Sequence, residues 1–276
     1  MRADTIKRKP FWKQFLLLFG IGFLGVVALA PVSAGVIAKE LSRLPEAPQI
    51  PLPLLAVVSL IQPTILLAIA VVIGIPLSAR LGLCSYLTLK TNNEQLFRQR
   101  ILSDLKLAVV LGLVTSALAI VLDLSTQAWI PELKALEQGM PRTPIYTIAG
   151  ILYGGITEEL IMRWGVMSLI AWIIWRLFQK GKGKPQVVVM RSAIFLSAIL
   201  FGLGHLPITA ALIKLTPIIV VRALILNGIA GVVFGWLYWK RSIETAMIAH
   251  SSFHIFASII LGIISFLSDN ISSFYL

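Results

Sequence analysis

The chain has 276 residues, of which 58% are hydrophobic and only 13% are charged. A soluble domain of this length could not bury so much apolar surface, so the composition excludes a soluble globular protein. The net charge of +12 is explained by the basic loops that flank membrane spans, and no soluble basic domain is present that could bind nucleic acid. The single cysteine, Cys84, excludes an intramolecular disulfide and a metal site built from several cysteines.

Seven stretches are long and apolar enough to form membrane-spanning helices. The stretch 145–179 is too long for one ordinary crossing at about 1.5 Å per residue, so it is either one tilted helix or two elements broken near residues 163–165. The predicted fold is therefore all-α, a single membrane domain over 1–276 with seven or eight transmembrane helices around a buried polar cavity. In chain order the predicted spans are 14–38, 54–77, 104–124, 145–179, 191–206, 217–239 and 243–267.

The N-terminal stretch has two interpretations. Basic residues precede it, and Val32-Ser33-Ala34 is similar to a signal-peptidase site. The apolar run from Phe15 to Ala38 is long for a signal peptide, however, so we expect residues 1–34 to be retained as part of a first span.

The distribution of lysine and arginine predicts how the chain is oriented. Seventeen of the 24 basic residues lie before the first span or in every second loop after it, and five lie in the alternate loops. Because cytoplasmic loops are enriched in these residues, the N-terminus is predicted to be cytoplasmic. We expect a multi-pass protein of a prokaryotic plasma membrane.

Small and aromatic residues suggest how the spans pack. The pairs Gly150/Gly154 and Gly231/Gly235 allow two helices to approach closely, and we expect plain packing there. Asn227 is predicted to form an interhelical hydrogen bond. Trp236, Tyr238 and Trp239 precede two basic residues and are predicted to form an aromatic anchor at the membrane surface.

Three charges interrupt the fourth apolar stretch, in the sequence GGITEELIMRWG at 154–165. An ionised side chain at the bilayer centre costs about 2.5–3.5 kcal/mol. Three unpaired ones cost on the order of 8–10 kcal/mol, which is comparable with the net stability of a domain. Glu159 and Arg163 are four residues apart and can form an ion pair on one helix face. Glu158 points about 100° away and needs a different partner.

All three histidines of the chain, His205, His250 and His254, lie in predicted spans. A lone intramembrane histidine is often simply hydrogen-bonded between helices. Three of them, together with the unpaired Glu158, favour a shared site. A carboxylate and an imidazole can take a proton from water and return it to a leaving amine, and other imidazoles can donate hydrogen bonds to an oxyanion. The same four side chains would also suit a catalytic Zn²⁺, although the HExxH pattern of metalloproteases is absent.

Three motifs in 145–267 resemble those of the CPBP intramembrane proteases. This family, also called Abi, includes the type II CAAX prenyl proteases and bacteriocin-immunity proteins. The motifs are Glu158-Glu159-x-x-x-Arg163, Phe201-x-x-x-His205 and His250-x-x-x-His254.

The resemblance implies a bundle of about eight helices, with a catalytic core at about 145–267 after the N-terminal helices of 1–144. It also implies that Glu158 and His205 activate water, while His250 and His254 hold the oxyanion. Glu159, Arg163 and Phe201 have supporting roles; Phe201 packs either against the His205 imidazole or in the apolar core.

One position departs from the family pattern. The last motif usually ends in Asn or Asp, whereas this chain has His254. A neutral imidazole can still donate a hydrogen bond to an oxyanion, but it also adds a nitrogen that could bind zinc. We expect no cofactor, with zinc held by Glu158, His205, His250 and His254 as the alternative.

The predicted function is that of an intramembrane endopeptidase, which hydrolyses a peptide bond by water activated between Glu158 and His205. Its partners are the lipid bilayer and a membrane-anchored or peptide substrate, with CAAX-type processing implied by the resemblance.

Two alternative functions belong to other classes of protein. One is a proton-coupled transporter, in which glutamate and histidine relay protons. The other is a non-catalytic membrane scaffold or immunity protein that keeps the fold without the chemistry.

Overall fold

The computed structural model describes residues 6–46, 50–91, 94–127, 129–130, 133 and 143–274. Most of these residues are helical, and two short strands, β1 (Ile6–Arg8) and β2 (Leu89–Thr91), pair antiparallel. The helices are α1 (Phe11–Leu41), α2 (Leu52–Ser59), α3 (Ile61–Leu81), α4 (Glu94–Gln127), α5 (Pro144–Gln179), α6 (Val187–Gly204), α7 (Leu206–Leu212), α8 (Pro217–Lys240) and α9 (Ile243–Phe274).

Seven helical spans within the described residues are long and apolar enough to cross a membrane. They are α1, α2 with α3, α4, α5, α6 with α7, α8, and α9 as far as Leu267. The predicted all-α membrane bundle is thereby confirmed. The predicted boundaries lie within a few residues of the observed ones at most helix ends. The largest difference is at α4, which begins at Glu94, ten residues before the predicted span 104–124.

Helix α5 shows whether the long fourth stretch forms one helix or two. It is one continuous helix, and its middle part, 150–158 and 160–167, is a wide π-helix with hydrogen bonds from residue i to i+5. The backbone stays in the right-handed helical region at Glu159 (φ −65°, ψ −38°) and at Ser168 (φ −64°, ψ −37°). The prediction of one long helix is confirmed, and the prediction of a break near 163–165 is wrong.

Helix α5 lies at the centre of the bundle, with contacts to α1, α3, α6, α8 and α9. Small residues on its neighbours permit close approach. The hydroxyl of Thr157 donates to the backbone carbonyl of Gly22 on α1 at 2.6 Å. On α3, Gly74 faces the fully buried ring of Trp164, where a side chain would collide with the indole.

A network of polar contacts fastens one end of the bundle. The guanidinium of Arg8 donates to the carbonyl of Leu83 at 2.8 Å, which ties the N-terminal strand to the segment after α3. The carboxylate of Glu244 accepts from the hydroxyl of Ser85 at 2.5 Å and from the backbone N–H of Tyr86 at 2.9 Å. This end therefore joins the strand pair to the first turn of α9.

The predictions made for Tyr238 and for Asn227, both on α8, are wrong. Tyr238 is fully buried, with its hydroxyl 3.0 Å from that of Ser168, so it does not belong to an aromatic anchor at the membrane surface. The amide of Asn227 donates to the carbonyl of Ala223 in its own helix at 2.9 Å, and not across to a neighbour. In both cases the residue type suggested a polar partner and the sequence could not identify which one.

Candidate active site

A chain of hydrogen bonds links α5 to α9. His250 Nδ1 lies 2.9 Å from Glu159 Oε1, and His250 Nε2 lies 3.2 Å from His254 Nε2. The second oxygen of Glu159 lies 3.2 Å from Arg163 Nε, which favours the ionised carboxylate. An ionised carboxylate only accepts hydrogen bonds, so His250 donates from Nδ1. The Nε2 of a neutral His250 then accepts from the Nε2–H of His254.

The predicted ion pair between Glu159 and Arg163 is confirmed, and both side chains are almost fully buried. The bond from His250 to Glu159 was not predicted. Spacing along one helix identifies Arg163 as a partner, but it carries no information about which side chain of α9 lies opposite. Glu159 is therefore part of the histidine cluster as well as the partner of a buried cation.

Two aromatic rings enclose the buried guanidinium of Arg163. Its Cζ atom lies 4.5 Å from the ring centre of Phe201 and 5.8 Å from that of Phe234. The negative faces of aromatic rings attract cations, and this attraction is stronger away from water. The rings and Glu159 together explain how a cation is accommodated inside the bundle.

His205 lies at the junction of α6 and α7, where the helix is interrupted. Pro207, in the first turn of α7, cannot donate a backbone hydrogen bond, and His205 N–H bonds to the carbonyl of Gly202 in a tighter turn. The carbonyl of Phe201, which would receive that N–H in a regular α-helix, instead lies 2.8 Å from Nδ1 of the His205 ring. A carbonyl only accepts, so Nδ1 carries a proton, and in the neutral imidazole Nε2 then has the lone pair.

Phe201 packs against the imidazoles, as one of its two predicted roles requires. Its ring meets that of His205 edge to face with centres 4.7 Å apart, and it is almost fully buried. Phe234 lies on the other side of the cluster and stacks on His250, with centres 4.7 Å apart. The sequence did not single out Phe234, because an aromatic residue in an apolar helix has the same pattern whether it faces lipid or a site.

The glycine pair of α5 provides the space for His254. A Cβ atom on Gly150 would lie 2.7 Å from His254 Nδ1, and one on Gly154 would lie 2.5 Å from His254 Nε2. Both distances are shorter than van der Waals contact. The predicted packing is confirmed, and its partner is the imidazole that differs from the family pattern.

Glu158 is half-buried beside this cluster. Its carboxylate interacts electrostatically with Arg163 and His250, and His205 interacts with both His250 and His254. Electrostatic interactions thus link the four side chains predicted for the site, which lie on α5, at the end of α6 and on α9. Their catalytic roles stay predictions.

The alternative zinc site does not fit this arrangement. Across the described part of the chain, no group of three or more His, Cys, Asp or Glu side chains is placed to hold a metal ion. Both ring nitrogens of His250 are engaged by protein partners, Nδ1 by Glu159 and Nε2 by His254. We therefore derive no chemical step through a metal.

Residues 140–256 match the family model described as type II CAAX prenyl endopeptidase Rce1-like. This part of the chain is similar to the Rce1-like family. The Rce1-like segment contains all three motifs and the whole hydrogen-bonded cluster. Comparison with curated proteins and comparison with solved structures gave no match. The family inferred from the motifs is confirmed, and with it protease activity as the activity of the family.

Proposed function

We propose that the chain is an intramembrane endopeptidase that cleaves a peptide bond of a membrane-associated substrate by means of activated water. The observation that carries this proposal is the fixed orientation of His205. Its Nδ1–H bond to the Phe201 carbonyl leaves Nε2 of the neutral imidazole as a proton acceptor, and Glu158 supplies a half-buried carboxylate on α5. A proton acceptor beside a carboxylate is what the activation of water requires.

In this mechanism, Glu158 and His205 together bind the attacking water. One of them takes a proton from the water as its oxygen bonds to the carbonyl carbon of the substrate. The carbonyl oxygen then carries the negative charge. When the C–N bond breaks, the same proton passes to the nitrogen, so that a carboxylic acid and a free amine leave the site.

The oxyanion needs an N–H donor. Without substrate, the N–H that could serve is already hydrogen-bonded within the histidine cluster. With Glu159 ionised, the Nε2–H of His254 is engaged by His250 at 3.2 Å. We infer that the substrate oxygen replaces His250 as the acceptor of this N–H. His250, held by Glu159, then positions His254 and does not need a spare proton of its own.

The first substrate to test is suggested by the family description, which is that of prenyl CAAX endopeptidases. The experiment reconstitutes purified protein in liposomes with a prenylated CAAX peptide and with the same peptide lacking the prenyl group. The wild-type protein should cleave the peptide near the C-terminal end of that peptide. If neither peptide is cleaved, mass spectrometry of membrane peptides from cells with and without the gene identifies the substrate.

Glu158→Gln and His205→Ala should each lower kcat/KM by at least about 100-fold, because each removes a proton acceptor from the water. Their melting temperatures should stay near that of wild type. Glu94→Gln, an exposed carboxylate at the start of α4, is the matched control and should retain full activity. Cleavage that persists in Glu158→Gln contradicts the mechanism. A cellular phenotype that survives in Glu158→Gln favours the scaffold alternative.

Metal dependence is tested separately. We expect cleavage to continue after exhaustive chelation, with less than one zinc per protein by elemental analysis, because both ring nitrogens of His250 already have protein partners. Activity that disappears with the chelator and returns with zinc would show that the side chains rearrange around a metal.

A further inference from the structure

A groove lies between α6 and α8 on the outside of the bundle, with a volume of about 500 Å³. Helix α6 contributes Arg191 and Phe195, which are one turn apart. Helix α8 contributes Val232, Trp236 and Lys240 at successive turns. This spacing places each set on a single helix face, so the groove runs along the helix axes.

The groove changes from cationic to apolar along its length. Arg191 is in the first turns of α6 and Lys240 is the last residue of α8, so both charges lie toward the same end of the bundle. Phe195 and Val232 lie deeper in the bilayer. Val232 is eight residues from Lys240, which corresponds to about 12 Å along the helix. This polarity complements an amphiphile that has an anionic head and a hydrocarbon chain.

The side chains of the groove are available to a ligand. Across the described part of the chain, neither Arg191 nor Lys240 forms a salt bridge. The ammonium of Lys240 is held 3.6 Å from the ring centre of Trp239, which orients it at the mouth of the groove. Phe195 is 61% exposed and Trp236 is 39% exposed, so their apolar surfaces face the membrane.

Helix α8 separates this groove from the candidate active site. Phe234, which stacks on His250, lies two residues from both Val232 and Trp236. Two residues correspond to about 200° around a helix, so Phe234 faces inward where the groove residues face outward. A molecule in the groove is therefore not in contact with the water-activating side chains, which argues against the groove as the substrate site.

We propose that the groove between α6 and α8 binds an anionic phospholipid. Its phosphate lies between Arg191 and Lys240, and an acyl chain follows Phe195, Trp236 and Val232. Basic pockets between transmembrane helices bind anionic headgroups in this way. The proposal does not depend on the proposed proteolysis, because no residue of the candidate active site lines the groove.

The test is native mass spectrometry of the purified chain in neutral detergent, with phosphatidylglycerol and phosphatidylcholine at equal concentration. Wild type should retain phosphatidylglycerol preferentially. Arg191→Gln combined with Lys240→Gln should weaken its apparent affinity about 30-fold, from the usual contribution of two basic side chains near an anionic surface. Arg98→Gln, which removes one positive charge from an exposed position of α4 outside the groove, is the control for each single variant and should leave retention unchanged.

Three outcomes would overturn the proposal. Retention that is undiminished in the double variant would place the lipid elsewhere, and an equal loss in Arg98→Gln would show attraction to general basic charge only. Displacement of the lipid by a prenylated CAAX peptide would identify the groove as a substrate site. If the double variant does not fold, the single variants Arg191→Gln and Lys240→Gln, which alter exposed side chains, give the same discrimination.

Discussion

The carboxylate of Glu159 has two partners inside the bundle and no exposed surface. One oxygen faces the guanidinium of Arg163 and the other accepts from His250. Glu159 thereby connects a buried cation to the imidazole that holds His254 in place. Loss of this one side chain affects both the charge balance of α5 and the geometry of α9.

Glu159→Ala should destabilise the protein by about 3–5 kcal/mol, because it leaves Arg163 buried without its counter-ion. Unfolding of the purified variant in detergent, compared with Glu94→Gln, measures this loss. Glu159→Gln separates the two functions of the side chain, since an amide can still accept from His250 but carries no charge. An unchanged melting temperature in Glu159→Ala would contradict a stabilising ion pair.

At the residue scale, the sequence predicted contacts along one helix and missed contacts between helices. The pair Glu159 and Arg163 follows from four-residue spacing, which has the same meaning in any helix. The bond from Glu159 to His250 depends on how α5 and α9 are rotated against each other. The rotation of the two helices is determined by the packing of the whole bundle, so it cannot be predicted from the sequence around either residue.

Interruption of a helix determines the orientation of His205. The apolar run predicts one continuous span, and Pro207 is the only local sign that the backbone hydrogen bonds change there. The consequence for the imidazole depends on which carbonyl is left without its usual partner. In this structure that carbonyl belongs to Phe201, and the ring of His205 takes it.

Gly154→Ala tests the close approach of α5 and α9. The added methyl would lie 2.5 Å from His254 Nε2, so it should displace the imidazole from His250 and destabilise the protein by about 1–3 kcal/mol. We expect cleavage to fall at least about tenfold, since the oxyanion donor moves. Peptide cleavage and thermal unfolding are measured together.

Gly228→Ala is the matched control, since its new methyl on α8 has no atom within 4 Å. It should leave both quantities near wild type, because alanine is the better helix former. Equal effects of the two substitutions would mean that the space beside His254 has no special role.

At the scale of the whole molecule, seven helical spans among the described residues are long and apolar enough to cross a membrane. A single continuous α5 agrees with the alternation of basic loops, which requires an odd number of crossings between 144 and 180. The class of fold follows from composition and from the length of the apolar stretches. The site depends on α5 being enclosed by its neighbours, which the order of the spans along the chain does not determine.

The predicted orientation places the N-terminus and the loop at 180–186 in the cytoplasm. Reporter fusions in the loops at 180–186 and 213–216 test this. A cytoplasmic reporter should be active in the first loop, and a reporter that requires export should be active in the second. The reverse pattern would contradict the orientation.

The π-helical stretch of α5 has a mechanical consequence. Its hydrogen bonds run from residue i to i+5, although the backbone dihedrals at the ends of its two segments are close to those of an α-helix. Conversion of those turns to α-helical hydrogen bonding would rotate Glu158 and Glu159 around the axis of α5. The fully buried ring of Trp164 and the hydrogen bond from Thr157 to α1 oppose such a rotation. The orientation of both carboxylates is therefore maintained by the helices that surround α5.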